Sequence, residues 1–123
     1  MNQLARGMVI IVRLDPVEGS ETGKERPCII VTNDFYNQRV PVIQVVPVTA
    51  WNERKEAIIT NVVIDPDGSN GLSKRSVADC LQTRPIDWRK RMVRVLGSIE
   101  PSTMHRIDSA LRTVFELDRS YPR

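Results

Sequence analysis

The 123-residue sequence carries a single histidine, His105, and only two cysteines, Cys28 and Cys80. A zinc site draws on clustered Cys and His, which three scattered residues do not supply, so the chemistry is expected to run without a metal or other cofactor. Both cysteines lie in apolar or alternating stretches, which makes each a reduced, buried thiol packed as a small hydrophobe. Long hydrophobic runs are also missing. The apolar stretches 8–12 and 43–48 fall far short of the roughly 20 residues that a membrane span needs, and residues 1–6 lack the apolar segment of a secretory signal. The expected location is cytoplasmic, with no membrane partner. Repeats and low-complexity segments are absent too.

What the sequence does hold is 41% hydrophobic and 27% charged residues. That size and balance predict one compact domain, 1–123, with one modest core. Short Val- and Ile-rich stretches at 8–14, 27–32, 40–48, 57–64, 76–81 and 92–96 read as β-strands. Between them, clusters such as Asp15-Pro16-Val17-Glu18-Gly19-Ser20 and Asp65-Pro66-Asp67-Gly68-Ser69-Asn70-Gly71 mark loops. One helix is predicted from Pro101 to about Leu117, where Met104, Ile107, Leu111 and Val114 recur at spacings of three and four and form a stripe to pack on the sheet. His105 lies off that stripe and reads as a surface residue. The last six residues read as a frayed polar tail. Many short strands with one late helix predict a mainly β fold, a small antiparallel barrel capped by a C-terminal helix.

The formal net charge is +3 and the pI about 9.2, a balance suited to a polyanionic partner without demanding one. The basic run Arg89-Lys90-Arg91 and the pairs Lys74/Arg75 and Arg54/Lys55, both in segments that read as loops, are by default solvated surface.

Four segments then fall in a telling order. Arg6-Gly7 leads into a strand and Leu14-Asp15-Pro16; Gly19-Ser20-Glu21 follows with Gly23; Arg26-Pro27 opens Cys28-Ile29-Ile30-Val31 with Asn33-Asp34; and Val46-Pro47-Val48-Thr49 closes a strand. Gly71-Leu72, Ser76-Val77, Gln82, Arg84, Asp87, Gly97 and the helix with Met104, Ile107 and Ala110-Leu111 carry the pattern almost to the C-terminus. Together these resemble the MazF/PemK toxins. The resemblance implies an SH3-like barrel, a homodimer, and sequence-specific, metal-independent cleavage of single-stranded RNA to a 2′,3′-cyclic phosphate and a 5′-hydroxyl. It also implies neutralisation by a cognate acidic, MazE-like antitoxin.

By the same resemblance Arg26 and Thr49 are the catalytic pair, and Glu21 and Gln82 line the RNA groove. Ser20, Lys24, Asn33, Arg54 and Arg84 complete the expected RNA contacts. Cleavage by the RNA's own 2′-hydroxyl needs a base, charge stabilisation at phosphorus and a proton for the leaving oxygen, and one histidine rules out a two-histidine scheme. Arg26 offers planar donors matched to phosphate oxygens, Thr49 a small hydroxyl, and Glu21 the carboxylate nominated as general base. The family's usual acidic residue before the glutamine is replaced here by Leu81; strand alternation would put Asp79 on the same face as a substitute. Trp51 reads equally as a base-stacking or a barrel-rim residue. A CcdB-like gyrase poison shares the barrel but depends on an apolar, tryptophan-bearing tail, unlike Asp118-Arg119-Ser120-Tyr121-Pro122-Arg123. A catalytically silent nucleic-acid- or partner-binding barrel is the other alternative, kept open by Leu81.

Overall fold

The computed structural model describes residues 3–122, and among these no helix is long and apolar enough to cross a membrane. Seven strands form one antiparallel sheet: β1 (Met8–Arg13), β2 (Glu25–Ile30), β3 (Val42–Ala50), β4 (Asn61–Ile64), β5 (Ser76–Asp79), β6 (Arg84–Asp87) and β7 (Met92–Ser98). Their order is β4-β5-β3-β2-β1-β7, with β6 also on β3. The nine-residue β3 changes partner along its length, pairing β6 through residues 42–45 and β5 through residues 48–50. That exchange turns the sheet toward a barrel, although among the described residues β4, β6 and β7 each have a strand partner on one side only. The helical elements are α1 (Asp34–Asn37), α2 (Glu53–Glu56), α3 (Trp88–Arg91) and α4 (Pro101–Phe115).

The strands form where the sequence places Val and Ile because both faces of the sheet are covered. On one face Val9, Ile29, Val46, Val48, Val62 and Ile64 pack against Met104, Ile107 and Ala110 of α4. On the other, Ile10, Val12, Cys28, Ile30, Ile43, Val45 and Ile86 form a second core closed by Leu4 and Leu14. Neighbouring residues such as Cys28 and Ile29 therefore bury into different cores, which gives near-continuous apolar runs rather than strict alternation. α4 begins with Pro101 at its first turn and ends where Glu116 adopts a left-handed φ of 55°. There the Leu117 N–H returns to the Arg112 carbonyl at 3.0 Å, which satisfies the frayed end.

Several expected boundaries move. Strand 57–64 shortens to β4, since Ala57 and its neighbours form a turn in which Ile58 and Ile59 are exposed. The pair Arg54/Lys55 belongs to α2 rather than a loop, because the Asn52 side chain accepts the Lys55 N–H and starts a helical turn. Strand 76–81 stops at Asp79, and residues 80–82 form a 3₁₀ turn. Strand alternation therefore does not carry from Asp79 to Leu81: the first is half-buried, the second 67% exposed.

Candidate active site

The β2–β3 hairpin brings Arg26 and Thr49 to one end of the sheet. Its ladder ends with Cys28 opposite Pro47, and extending that register two residues beyond the last paired position brings Arg26 level with Thr49. Alternation puts Arg26 on the side of Cys28 and Ile30, so both half-buried side chains stand at the rim of the second core. Arg26 Nε donates to the Gly23 carbonyl at 3.0 Å, and among the described residues no carboxylate pairs with the guanidinium. Gly23 leaves room for close packing there: a Cβ would crowd the Asp15 carboxylate and the Val17 side chain, which would have to shift.

Loop 18–24 is held over this end by Gln82. The Thr22 N–H donates to Gln82 Oε1 at 3.2 Å, and Gln82 Nε2 donates to the Ser20 carbonyl at 3.3 Å. Glu21 is exposed, and its carboxylate accepts the Glu18 N–H at 2.8 Å within the same loop rather than meeting Lys24 in an ion pair. Lys24 is exposed with a left-handed φ of 68°. Arg84, opposite Val45 on β6, donates to the Leu14 carbonyl at 3.0 Å. Burial pushes the Cys28 thiol up to about 12, while the charges of Arg84 and Arg26 pull the other way. Cys80 is likewise pushed up to about 12 by burial and by Asp79, so neither thiol is a nucleophile.

Two more residues join the cluster: Lys55, which the sequence does not single out, and Asp79, which strand alternation offers. Lys55 Nζ donates to Thr49 Oγ1 at 3.2 Å and to the Ala50 carbonyl at 2.8 Å. Asp79 lies near it: burial raises its carboxyl above the usual range, with the backbone N–H groups of Gln82 and Leu81 and then the Lys55 charge opposing. Hydrogen bonds link Arg26 to Gly23, loop 18–24 to Gln82, the Gln82 backbone to Asp79, and Lys55 to Thr49. Arg54 is exposed on α2 beside Lys55. Asn33 is not brought here. It lies beyond the opposite end of β2, roughly 20 Å of strand from Arg26 at about 3.3 Å per residue, and its side chain caps α1 by accepting the Phe35 N–H. Trp51 has one ring face covered by the Arg75 guanidinium at 4.8 Å, and its Nε1 donates to Glu56.

The fold and this rim define a small curved-sheet protein with a cluster of cationic side chains at the end of its central strand pair. Residues 5–115 match the family described as PemK-like, MazF-like toxin of type II toxin-antitoxin system, and the chain belongs to that family. It is 36% identical over 108 residues to the endoribonuclease MazF of Staphylococcus epidermidis, with 88% of each chain covered. The crystal structure of MazF from Deinococcus radiodurans superposes with a TM-score of 0.77 at 22% identity, covering 90% of this chain and 94% of that one. A mycobacterial endoribonuclease in complex with its cognate antitoxin gives a TM-score of 0.72 at 25% identity, covering 95% and 97%.

Proposed function

We propose that this toxin is an endoribonuclease that cuts single-stranded RNA at a short sequence through attack of the substrate's own 2′-oxygen. The observation that carries the reading is a rim in which Lys55 holds the Thr49 hydroxyl, Arg26 donates to a loop pinned by Gln82, and no carboxylate pairs with the Arg26 guanidinium among the described residues. The 2′-oxygen attacks phosphorus and the bond to the 5′-oxygen breaks, leaving a 2′,3′-cyclic phosphate and a 5′-hydroxyl. Arg26 neutralises charge on the nonbridging oxygens, where its fixed donors count most in the transition state. Thr49 donates to the same phosphate. Glu21 takes the proton from the 2′-hydroxyl, and Asp79 returns one to the 5′-oxygen, a role favoured by the burial that raises its carboxyl. Ser20, Lys24, Arg54, Gln82 and Arg84 hold the strand; Asn33 stands apart from them.

A mycobacterial relative is seen in complex with its cognate antitoxin; for this chain a cognate acidic antitoxin is the expected inhibitor, an extended segment of it competing for the same cations. The working unit is a homodimer in the cytoplasm. Family membership favours this reading over a gyrase poison. The test is purified protein on mixed-sequence RNA in EDTA, with end-group analysis of the products. Cleavage to cyclic-phosphate and 5′-hydroxyl ends is expected. Intact RNA, or cleavage only on adding a divalent metal, overturns the mechanism.

A further inference from the structure

Lys55 is fixed at three points. Its backbone N–H is held by Asn52 Oδ1 at 2.7 Å, its carbonyl accepts from Asn61 Nδ2 at 3.1 Å, and its ammonium is bound to Thr49 and Ala50. Asn61 is itself the β4 residue opposite Asp79 on β5, so the strand pair carrying the carboxylate also anchors the lysine. A surface lysine on a single helical turn ordinarily samples many rotamers, and none of these restraints is needed to keep a charge in water.

The direction of the Lys55–Thr49 bond is forced. An ammonium has three donors and no acceptor, so Thr49 Oγ1 must accept. The hydroxyl proton then points away from Nζ and is left to donate elsewhere. A hydroxyl that accepts from a cation is also polarised toward stronger donation. An unheld threonine would spread that proton over three rotamers.

We propose that Lys55 is the positioning residue of the cleavage site, holding the Thr49 hydroxyl so that it donates to a nonbridging oxygen of the scissile phosphate. This rests on the ribonuclease reading above. It differs from a simple phosphate contact, which would strengthen binding of RNA in the ground and transition states alike and weaken as salt rises. A positioning effect falls on kcat and persists in salt.

The test uses the full-length protein and a short RNA that the wild type cleaves, in EDTA, under single-turnover and steady-state conditions at low and high salt. Lys55→Met is expected to lower kcat by about ten- to a hundredfold, less than loss of a direct oxyanion donor, with KM changed by under about threefold at both salts. Lys55→Arg, which keeps a charged donor, should restore a large part. In a Thr49→Ala background Lys55→Met should add nothing, since the group it positions is gone. Circular dichroism and melting follow each variant, and Lys55→Gln, which keeps a neutral donor, replaces Lys55→Met if the latter is misfolded. Unchanged kcat, an effect confined to KM, or an effect that multiplies with Thr49→Ala overturns the proposal. Arg26→Ala separates the two levels. An inactive Arg26→Ala beside a fully active Lys55→Met refutes only the positioning role, whereas an active Arg26→Ala removes the site itself.

Discussion

The two faces of the sheet are built from the same kinds of strand residue and end differently. Against α4, Ile29, Val46, Val48 and Ile107 close a core with apolar neighbours throughout. The opposite core, around Cys28, Ile30 and Val45, runs out at the hairpin end into Arg26, Thr49 and Arg84, all half-buried. One face stabilises; the other spends part of its burial on holding cations where neither a carboxylate nor bulk water fully compensates Arg26. Such groups stay in place because Gly23, Gln82 and Lys55 fix the rim.

Arg26→Ala and Thr49→Ala break the comparison most sharply. Each should lower cleavage by about a hundred- to a thousandfold. Neither removes core volume from either cluster, so melting temperatures should stay near that of the wild type. A variant that loses both activity and its cooperative melt would mean that the rim is structural. Ile107→Ala makes the opposite cut, at a fully buried side chain under α4. It should cost about 2–5 kcal/mol in urea unfolding and leave kcat of the remaining folded protein unchanged. A drop in kcat at full folding would show that the two faces are not separable.

A smaller effect is expected at Gln82, the only side chain tying residues 20 and 22 to the 3₁₀ turn among the described residues. Gln82→Ala should loosen loop 18–24 and lower kcat/KM by about tenfold, the scale of one lost pair of neutral hydrogen bonds. Increased protease cleavage within 18–24 is the accompanying structural readout. Unaltered loop protection with unaltered cleavage would place the RNA path elsewhere.

How far the sequence reaches differs between the faces in the same way. Strands and α4 are readable because burial on two sides writes itself as Val and Ile runs and a three-four stripe. β6 is hidden: Arg84-Pro85-Ile86-Asp87 has one buried apolar side chain and a proline, too little for periodicity. The one-turn helices depend on single caps, Asn33, Asn52 and Asp87, and four residues give no stripe. Arg26 and Thr49 stand in motifs that the family resemblance singles out. Lys55 does not, since its link to Thr49 exists only once Asn52 has turned the chain back; an asparagine three residues before a lysine, just past a strand end, is the signal it left. Asp79 was legible as a candidate through alternation, but its setting comes from burial beside the 3₁₀ turn.

The smallest effect, and the one that most sharpens the comparison, concerns Asp79→Asn. Burial raises the Asp79 carboxyl in the folded protein above its usual value, against the pull of the Gln82 and Leu81 amides and of Lys55. The folded state therefore binds this proton more tightly than the unfolded chain. Its linked contribution to stability is complete below the ordinary aspartate range, near pH 3.9 or less, and is lost as pH rises through the raised value. Asparagine keeps the shape and an acceptor for the two amides but carries no charge to desolvate. The variant should thus match or exceed the wild type in stability at pH 7, and its advantage should shrink toward pH 4. Urea unfolding of both proteins at the two pH values measures the difference. Cleavage should move the other way, because the amide has no proton to give the leaving oxygen, and the fall of wild-type activity on the alkaline side should be lost. A stability difference that does not vary with pH would make Asp79 an ordinary solvated carboxylate. More stability with less activity at one half-buried side chain would instead mark it as part of the rim held for chemistry rather than for folding.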